Sequence, residues 1–379
     1  MEDKEVVSYA VGHVASQDGS QGEFISPIYS DGTIGEPLTP IVKSVSDAGL
    51  LRGESKFIVV TEFNNKKAVY TSEGKVLGDL DEVYEVGMIR GESTVGVVKY
   101  KGKDLIINSN GERVSKDYNK VHLIGYVRGT SPYVLFENNE AMLVDFENKK
   151  LLLKAPKIYP RGLPDGSSEY VLASTDNPKE FVIYDKDIVP VTTEKFKYVL
   201  PHGLIEGRSK RFIAKTEEGY ALYELGKGRI SDYYEKIKVS GAVYGTNNIL
   251  IVRDNNKEFL IDYTNNKKLS QEFDEILSFG YPMGKSLFFI AKDDNGYAIY
   301  HSSGKRVTDT YDRMEPMDTA KHWEEIIKEL DKQTSQHVKQ LMKQLFNPFG
   351  IDENVYIPSH VLAAKDDKVY LMSDSGMIL

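Results

Sequence analysis

The sequence predicts an all-β chain: a closed β-propeller of about eight four-stranded blades, with seven and nine as the neighbouring counts, carrying a helical insertion near the C-terminus. Three observations predict it. A pair of glycines four residues apart recurs seven times at nearly fixed spacing. Short apolar runs separated by hairpin-turn residues recur with the same period. The period breaks once, after Met314.

The glycine pairs are Gly49/Gly53, Gly87/Gly91, Gly125/Gly129, Gly162/Gly166, Gly203/Gly207, Gly241/Gly245 and Gly280/Gly284, and their first members follow one another by 38, 38, 37, 41, 38 and 39 residues. A fixed period of this size marks a repeat architecture. Four residues before most first glycines a short signature ends: a large apolar residue, any residue, a mostly charged one, then Val, Ile or Met. It reads Leu80-Asp81-Glu82-Val83, Tyr118-Asn119-Lys120-Val121, Phe196-Lys197-Tyr198-Val199, Tyr234-Glu235-Lys236-Ile237, Phe273-Asp274-Glu275-Ile276 and Tyr311-Asp312-Arg313-Met314, with Ala155-Pro156-Lys157-Ile158 a degenerate copy. Alternation of this kind suits a half-buried strand.

Upstream stand two turn signals per period. One is Ser72-Glu73-Gly74-Lys75, Asn108-Ser109-Asn110-Gly111, or Ser302-Ser303-Gly304-Lys305. The other is Asn64-Asn65-Lys66, Asn255-Asn256-Lys257, or Asp293-Asp294-Asn295-Gly296. Gly and Asn tolerate the positive φ of tight hairpins. Runs such as Phe57-Ile58-Val59-Val60 and Leu287-Phe288-Phe289-Ile290 flank them. One unit therefore reads as strands joined by two hairpin turns and a longer turn, with the glycine pair as the link to the next blade. A partial unit from about 359 supplies a last hairpin to close the ring. Closure removes exposed sheet edges, so a ring is expected over an open solenoid.

The unit at 296–314, from Gly296-Tyr297-Ala298 to Tyr311-Asp312-Arg313-Met314, resembles the bacterial WG repeat. Units from Gly219 to Ile237 and from Phe259 to Ile276 are similar. Tyr220-Ala221, Phe259-Leu260 and Tyr297-Ala298 stand where that family has Trp-Gly. The resemblance implies an interaction module and carries over no catalytic residues.

After Met314 the period gives way to a helical pattern. Between 319 and 346 the apolar residues Trp323, Ile326, Ile327, Leu330, Val338, Leu341, Met342, Leu345 and Phe346 trace one helix face, which Asn347-Pro348 stops. The expected division is 1–318 blades, 319–350 helical insertion and 351–379 closing hairpin. The insertion's face either packs on the blades or meets a partner through Trp323, Ile327, Leu330, Leu341, Met342 and Leu345, since Trp and Met favour recognition surfaces.

Chemistry is sparse. The seven histidines share no repeat position and form no His-x-x-x-His. The Asp/Asn clusters fall where the repeat needs turns, and Gly284-Lys285-Ser286 is a fragment of a phosphate loop without the rest. No metal site and no cofactor are predicted. A formal net charge of −9 without a basic stripe argues against nucleic acid. The chain has no cysteine, no 18-residue apolar stretch, and a charged start without a signal-peptide core, so a cytoplasmic protein without a membrane span is expected. The predicted function is non-catalytic binding of a protein partner or small ligand. A propeller hydrolase or lyase using carboxylates at a central pocket, and a structural or assembly component, are the alternatives.

Overall fold

The computed structural model describes residues 5–15, 21–123, 125–238, 240–316, 360–366 and 368–378. The chain is all-β. Among the described residues it forms nine antiparallel sheets, none closed on itself, and its helical elements are single turns. It divides into two compact units: Met1–Phe196 with Leu204–Gly207, and Lys197–Gly203 with Arg208–Leu379.

One register recurs through both units. The aliphatic residue that ends each signature faces a residue 15 positions later. In the first unit Val45 faces Val60, Val83 faces Val98, Val121 faces Phe136 and Ile158 faces Ala173. In the second, Val199 faces Ala214, Ile237 faces Val252 and Ile276 faces Ala291. An eighth copy pairs Met314 with Ala363, 49 residues on. In the first seven copies the first strand is thus joined to the second across the glycine pair, and in all eight a hairpin carries the second into the third. In the seventh copy these are Glu275–Ile276, Phe288–Asp293 and Gly296–His301.

This register corrects the phase of the repeat. The sequence reading places the glycine pairs between blades, whereas they lie inside each sheet. Every joint of the repeat is a turn, so spacing alone cannot say which turn separates sheets. The crossing between sheets is the signature itself. Tyr118 pairs with Asp104 of the outgoing sheet, and three residues later Val121 pairs with Phe136 of the incoming one. Phe273 with Glu258, then Ile276 with Ala291, repeats the pattern. The large residue anchors one sheet and the aliphatic residue the next. A copy missed from sequence, Val42-Lys43-Ser44-Val45, makes the same crossing from the N-terminal hairpin Val6–Ala15/Gln21–Tyr29, with Val42 on Glu23 and Val45 on Val60.

The glycines have a mechanical role. The N–H of the residue after each second glycine donates to the carbonyl of the first, as in Glu92 to Gly87 at 2.7 Å and Lys285 to Gly280 at 3.0 Å. With Gly91 N–H on Met88 (3.1 Å) and Gly284 N–H on Tyr281 (3.0 Å), this is the Schellman pattern that ends a helical turn. A side chain at Gly49 (φ +68) would meet the Phe57 carbonyl at 1.7 Å, and one at Gly91 (φ +73) the Glu54 carbonyl of the preceding loop at 1.8 Å. The pair therefore brings one loop against its own second strand and against the loop before it.

The core lies between successive sheets. Second strands bury both faces, which is why they read as unbroken apolar runs. Phe289 and Ala291 pack with Ile276, Leu260 and Ile251, while the intervening Ile290 packs with Met314, Val361 and Met372. A carboxylate reinforces three crossings from one repeat position. Glu23, Asp104 and Glu258 accept the backbone N–H of Val45 (2.7 Å), Val121 (3.0 Å) and Ile276 (2.7 Å). Asp104 and Glu258 are almost fully buried.

The C-terminal hairpin, His360–Lys365 with Lys368–Ser373, pairs on Arg313–Pro316 and supplies the second and third strands of the eighth copy. The sequence reading treats it as a ninth, partial unit. The eighth copy instead owns it, with residues 317–359 standing where the other copies have a glycine pair.

Candidate binding grooves and the eighth link

The six residues predicted to meet a partner, Trp323, Ile327, Leu330, Leu341, Met342 and Leu345, lie outside the described residues, as does the whole of 319–350. What the structure gives is the address of that segment. Its two ends are the adjacent antiparallel strands Arg313–Pro316 and His360–Lys365.

In the first unit, the glycine loops of the second and third copies border a groove of about 450 Å³. Glu92 and Glu147 stand in its wall with Ser93, Thr94, Thr130 and Ser131. The loops are knit to their neighbours: Thr130 Oγ1 donates to the Asp165 carbonyl (2.9 Å) and Ser131 Oγ to that of Pro164 (3.1 Å). The Tyr126 ring lines the groove and lies 5.2 Å from that of Phe146, and burial raises its hydroxyl pKa. A wall of hydroxyls and carboxylates suits a hydrogen-bonding ligand.

The second unit carries a groove of a different character, of about 400 Å³, over the sixth and seventh copies. Lys236, Lys238, Arg253 and Lys292 line it together with Glu258, Asp274 and Glu275. The first-strand residues Lys236 and Lys238 flank Ile237 of the signature, so alternation sends both to the face opposite the aliphatic residue. Lys238 Nζ meets Glu258 Oε2 at 2.7 Å and the Ile276 carbonyl at 3.0 Å, a half-buried bridge between consecutive sheets. Lys257 holds Asp274 at 2.6 Å. Tyr297 donates its hydroxyl to Glu275 (2.8 Å), and burial together with that carboxylate pushes the phenol up to about 12. Tyr300, buried and donating to Asp293 (2.8 Å), is likewise pushed up to about 12. Both tyrosines remain hydroxyl donors across the physiological range.

The same unit holds a cavity of about 30 Å³ against Phe212, Leu222, Val243 and Leu250. Arg211 closes one side, bound to Glu224 (2.8 Å) and to the Tyr263 carbonyl (2.6 Å). Its size is that of a water site. Lys227 and Arg211 hold the Glu224 carboxyl below the usual range.

The described histidines sit apart from one another. His122 Nε2 is 2.8 Å from Glu137, His13 is 3.5 Å from Glu23, and His301 Nδ1 is 2.9 Å from the Ser303 hydroxyl. His322 and His337 lie outside the described residues. Among the described residues no three His, Asp or Glu gather as metal ligands, and no helix is long and apolar enough to cross a membrane. The Asp/Asn clusters are hairpin turns: Asn255 and Asn256 take φ of +48° and +61°, and Asp293 Oδ1 accepts the Asn295 N–H at 2.8 Å. The groove of the second unit escaped the sequence reading. The available signal was the pairing of Lys236 with Arg253, which becomes readable once the phase of the repeat is known.

No protein-family model matches the chain, and no curated protein matches it. Among solved structures it is similar to BamB from Moraxella catarrhalis, at 11% identity, 86% of this chain, 95% of that chain and a TM-score of 0.28. It is similar to a eukaryotic initiation factor at 13% identity, 80% and 89% coverage and a TM-score of 0.36. It is also similar to Kluyveromyces lactis Hsv2, at 9% identity, 56% and 71% coverage and a TM-score of 0.30. The assignment to the all-β class rests on the chain's own strand pairing.

Proposed function

We propose that this chain is a non-catalytic binding protein of the cytoplasm, a closed β-propeller of about eight blades related to WG-repeat proteins, which holds a protein partner through the segment that replaces its eighth glycine pair. The observation that carries the reading is the change of link at constant register. Seven copies join first and second strands over 15 residues, and the eighth makes the same ladder over 49. The ladder does not need the extra residues, so they are free to serve another purpose. The apolar residues Trp323, Ile327, Leu330, Leu341, Met342 and Leu345 recur at helical spacing in that segment and are the proposed contact. The absence of cysteine supports a reducing compartment.

The test grafts residues 279–287, the link of the seventh copy, in place of 317–359, which restores the 15-residue separation. Partners captured with the full chain are identified, and their affinity for both proteins is measured by calorimetry. The expected result is an unchanged cooperative unfolding transition with at least about a hundredfold weaker binding, or ~2.7 kcal/mol. Equal affinity would remove the segment from the interface. Loss of the folded state would assign it a structural role.

A further inference from the structure

The repeat supplies an internal standard for one position: the first-strand residue before the signature's aliphatic residue, and the second-strand residue facing it. In the seven copies with a ladder pair at this place the pairs are Ser44 with Thr61, Glu82 with Lys99, Lys120 with Glu137, Tyr198 with Lys215, Lys236 with Arg253, Glu275 with Lys292, and Arg313 with Ala364, and in the fourth copy the Ser174 N–H donates to the Lys157 carbonyl. Three pairs oppose unlike charges, and three hold at most one charge. Only Lys236 and Arg253 set two cations directly opposite each other, an arrangement that weakens an antiparallel ladder.

The surroundings do not neutralise them. Two of the groove's carboxylates are already engaged by other groups, Glu258 by Lys238 and the Ile276 N–H and Asp274 by Lys257, while Glu275 accepts the Tyr297 hydroxyl and faces Lys292. Arg253 Nε reaches only the Glu235 carboxylate, at 3.8 Å, and its Nη2 donates to Asn256 Oδ1 at 3.3 Å. Lys292 lies over the Tyr297 ring at 5.4 Å. Lys236 is exposed and has no carboxylate within ion-pair reach among the described residues. Lys236 and Arg253 therefore border one open groove with their charge only partly compensated, and Lys292, which faces Glu275 across the next ladder, adds a third cation to its wall.

We propose that this groove binds a small molecule bearing an oxyanion, a phosphoryl or carboxylate group, held by Lys236, Arg253 and Lys292. A volume of about 400 Å³ matches a small-molecule site. The Arg253 guanidinium offers paired donors to such a group, and the two ammonium groups add charge. The chain's net charge of −9 and the engaged carboxylates in the groove wall disfavour an extended polyanion and leave room for a compact one. None of the groove's named lining residues belongs to 317–359, and the proposal stands without the one made for that segment.

The test titrates the full chain with inorganic phosphate and, separately, with succinate, each against sodium chloride at matched ionic strength. Calorimetry and thermal unfolding are the readouts. Phosphate, succinate or both are expected to bind saturably and to raise Tm by several degrees beyond the chloride control, and the ion that binds identifies the group recognised. Lys236→Glu installs the unlike pair that three other copies use. It is expected to leave the unliganded Tm equal or higher while weakening anion binding at least tenfold, and Lys292→Gln is expected to weaken binding at unchanged fold. Stabilisation equal to that of chloride, affinity unchanged in Lys236→Glu and Lys292→Gln, or a lower unliganded Tm in Lys236→Glu would each overturn the proposal.

Discussion

The seventh and eighth copies of the repeat share a ladder and differ in how the chain gets from one side of it to the other. In the seventh, Ile276 faces Ala291 across the Gly280/Gly284 loop. In the eighth, Met314 faces Ala363 across 317–359. Both aliphatic residues are fully buried, and each packs against the preceding sheet as well as its own. The difference teaches that register in this protein is held by the strand faces. A one-residue slip would turn the apolar set of a second strand to the wrong neighbours on both sides at once. The link is then free to be short and glycine-rich or long and differently composed.

If the two ladders are equivalent, truncating their anchors must cost the same. Ile276→Ala and Met314→Ala are each expected to destabilise by about 2–5 kcal/mol, the range for emptying a fully buried aliphatic site. Denaturant unfolding of the two variants checks this, and a Met314→Ala cost well below that of Ile276→Ala would break the comparison. The next largest effect sharpens it from the side of the link. Gly280 has φ +63, and a Cβ there would stand 2.0 Å from the Phe288 carbonyl. Gly280→Ala is therefore expected to cost about 3 kcal/mol, from backbone strain and overpacking together. Gly304 in the following hairpin has φ +86 and open space around it, so Gly304→Ala should cost only about 1 kcal/mol. Equal costs would mean that the glycine pairs serve φ alone and not close approach.

These particulars also show what could be read in advance. The seven glycine pairs, the hairpin turns and the apolar second strands were legible because each rests on a local demand: positive φ, a two-residue reversal, burial on both faces. The phase of the repeat was not. Tyr118 and Val121 look like two anchors of one strand until pairing shows that they belong to different sheets. Val42 and Val45 were missed because their signature lacks both the aromatic and the charge at its third position, although the register there is the same. The groove of the second unit was hidden for a related reason. Lys236 and Arg253 lie 17 residues apart, and only the register sets them opposite. Buried carboxylates such as Glu258 look in sequence like exposed strand residues, because the backbone N–H of Ile276 that they accept comes from the next crossing.

The smallest expected effect separates the two copies by pH. His360 occupies the second-strand place that Phe288 holds in the seventh copy, each three residues before the alanine that faces the anchor. Burial pushes the His360 pKa below the ordinary histidine value, against a weaker opposing pull from Asp374. As pH falls through about 6.5 the unfolded chain takes up this proton first, so the folded state loses stability until the pH reaches the lowered folded-state value and the loss levels off. The direction is opposite to that of a histidine gaining an ionic partner, which would stabilise the fold on acidification. His360→Phe places the seventh copy's residue in the eighth and is expected to remove this part of the slope while leaving the carboxylate-driven loss at lower pH intact. Unfolding measured at intervals between pH 7.5 and 5 on both proteins decides it, since an identical slope in the variant would mean that His360 is solvated as well in the folded chain as in the unfolded one.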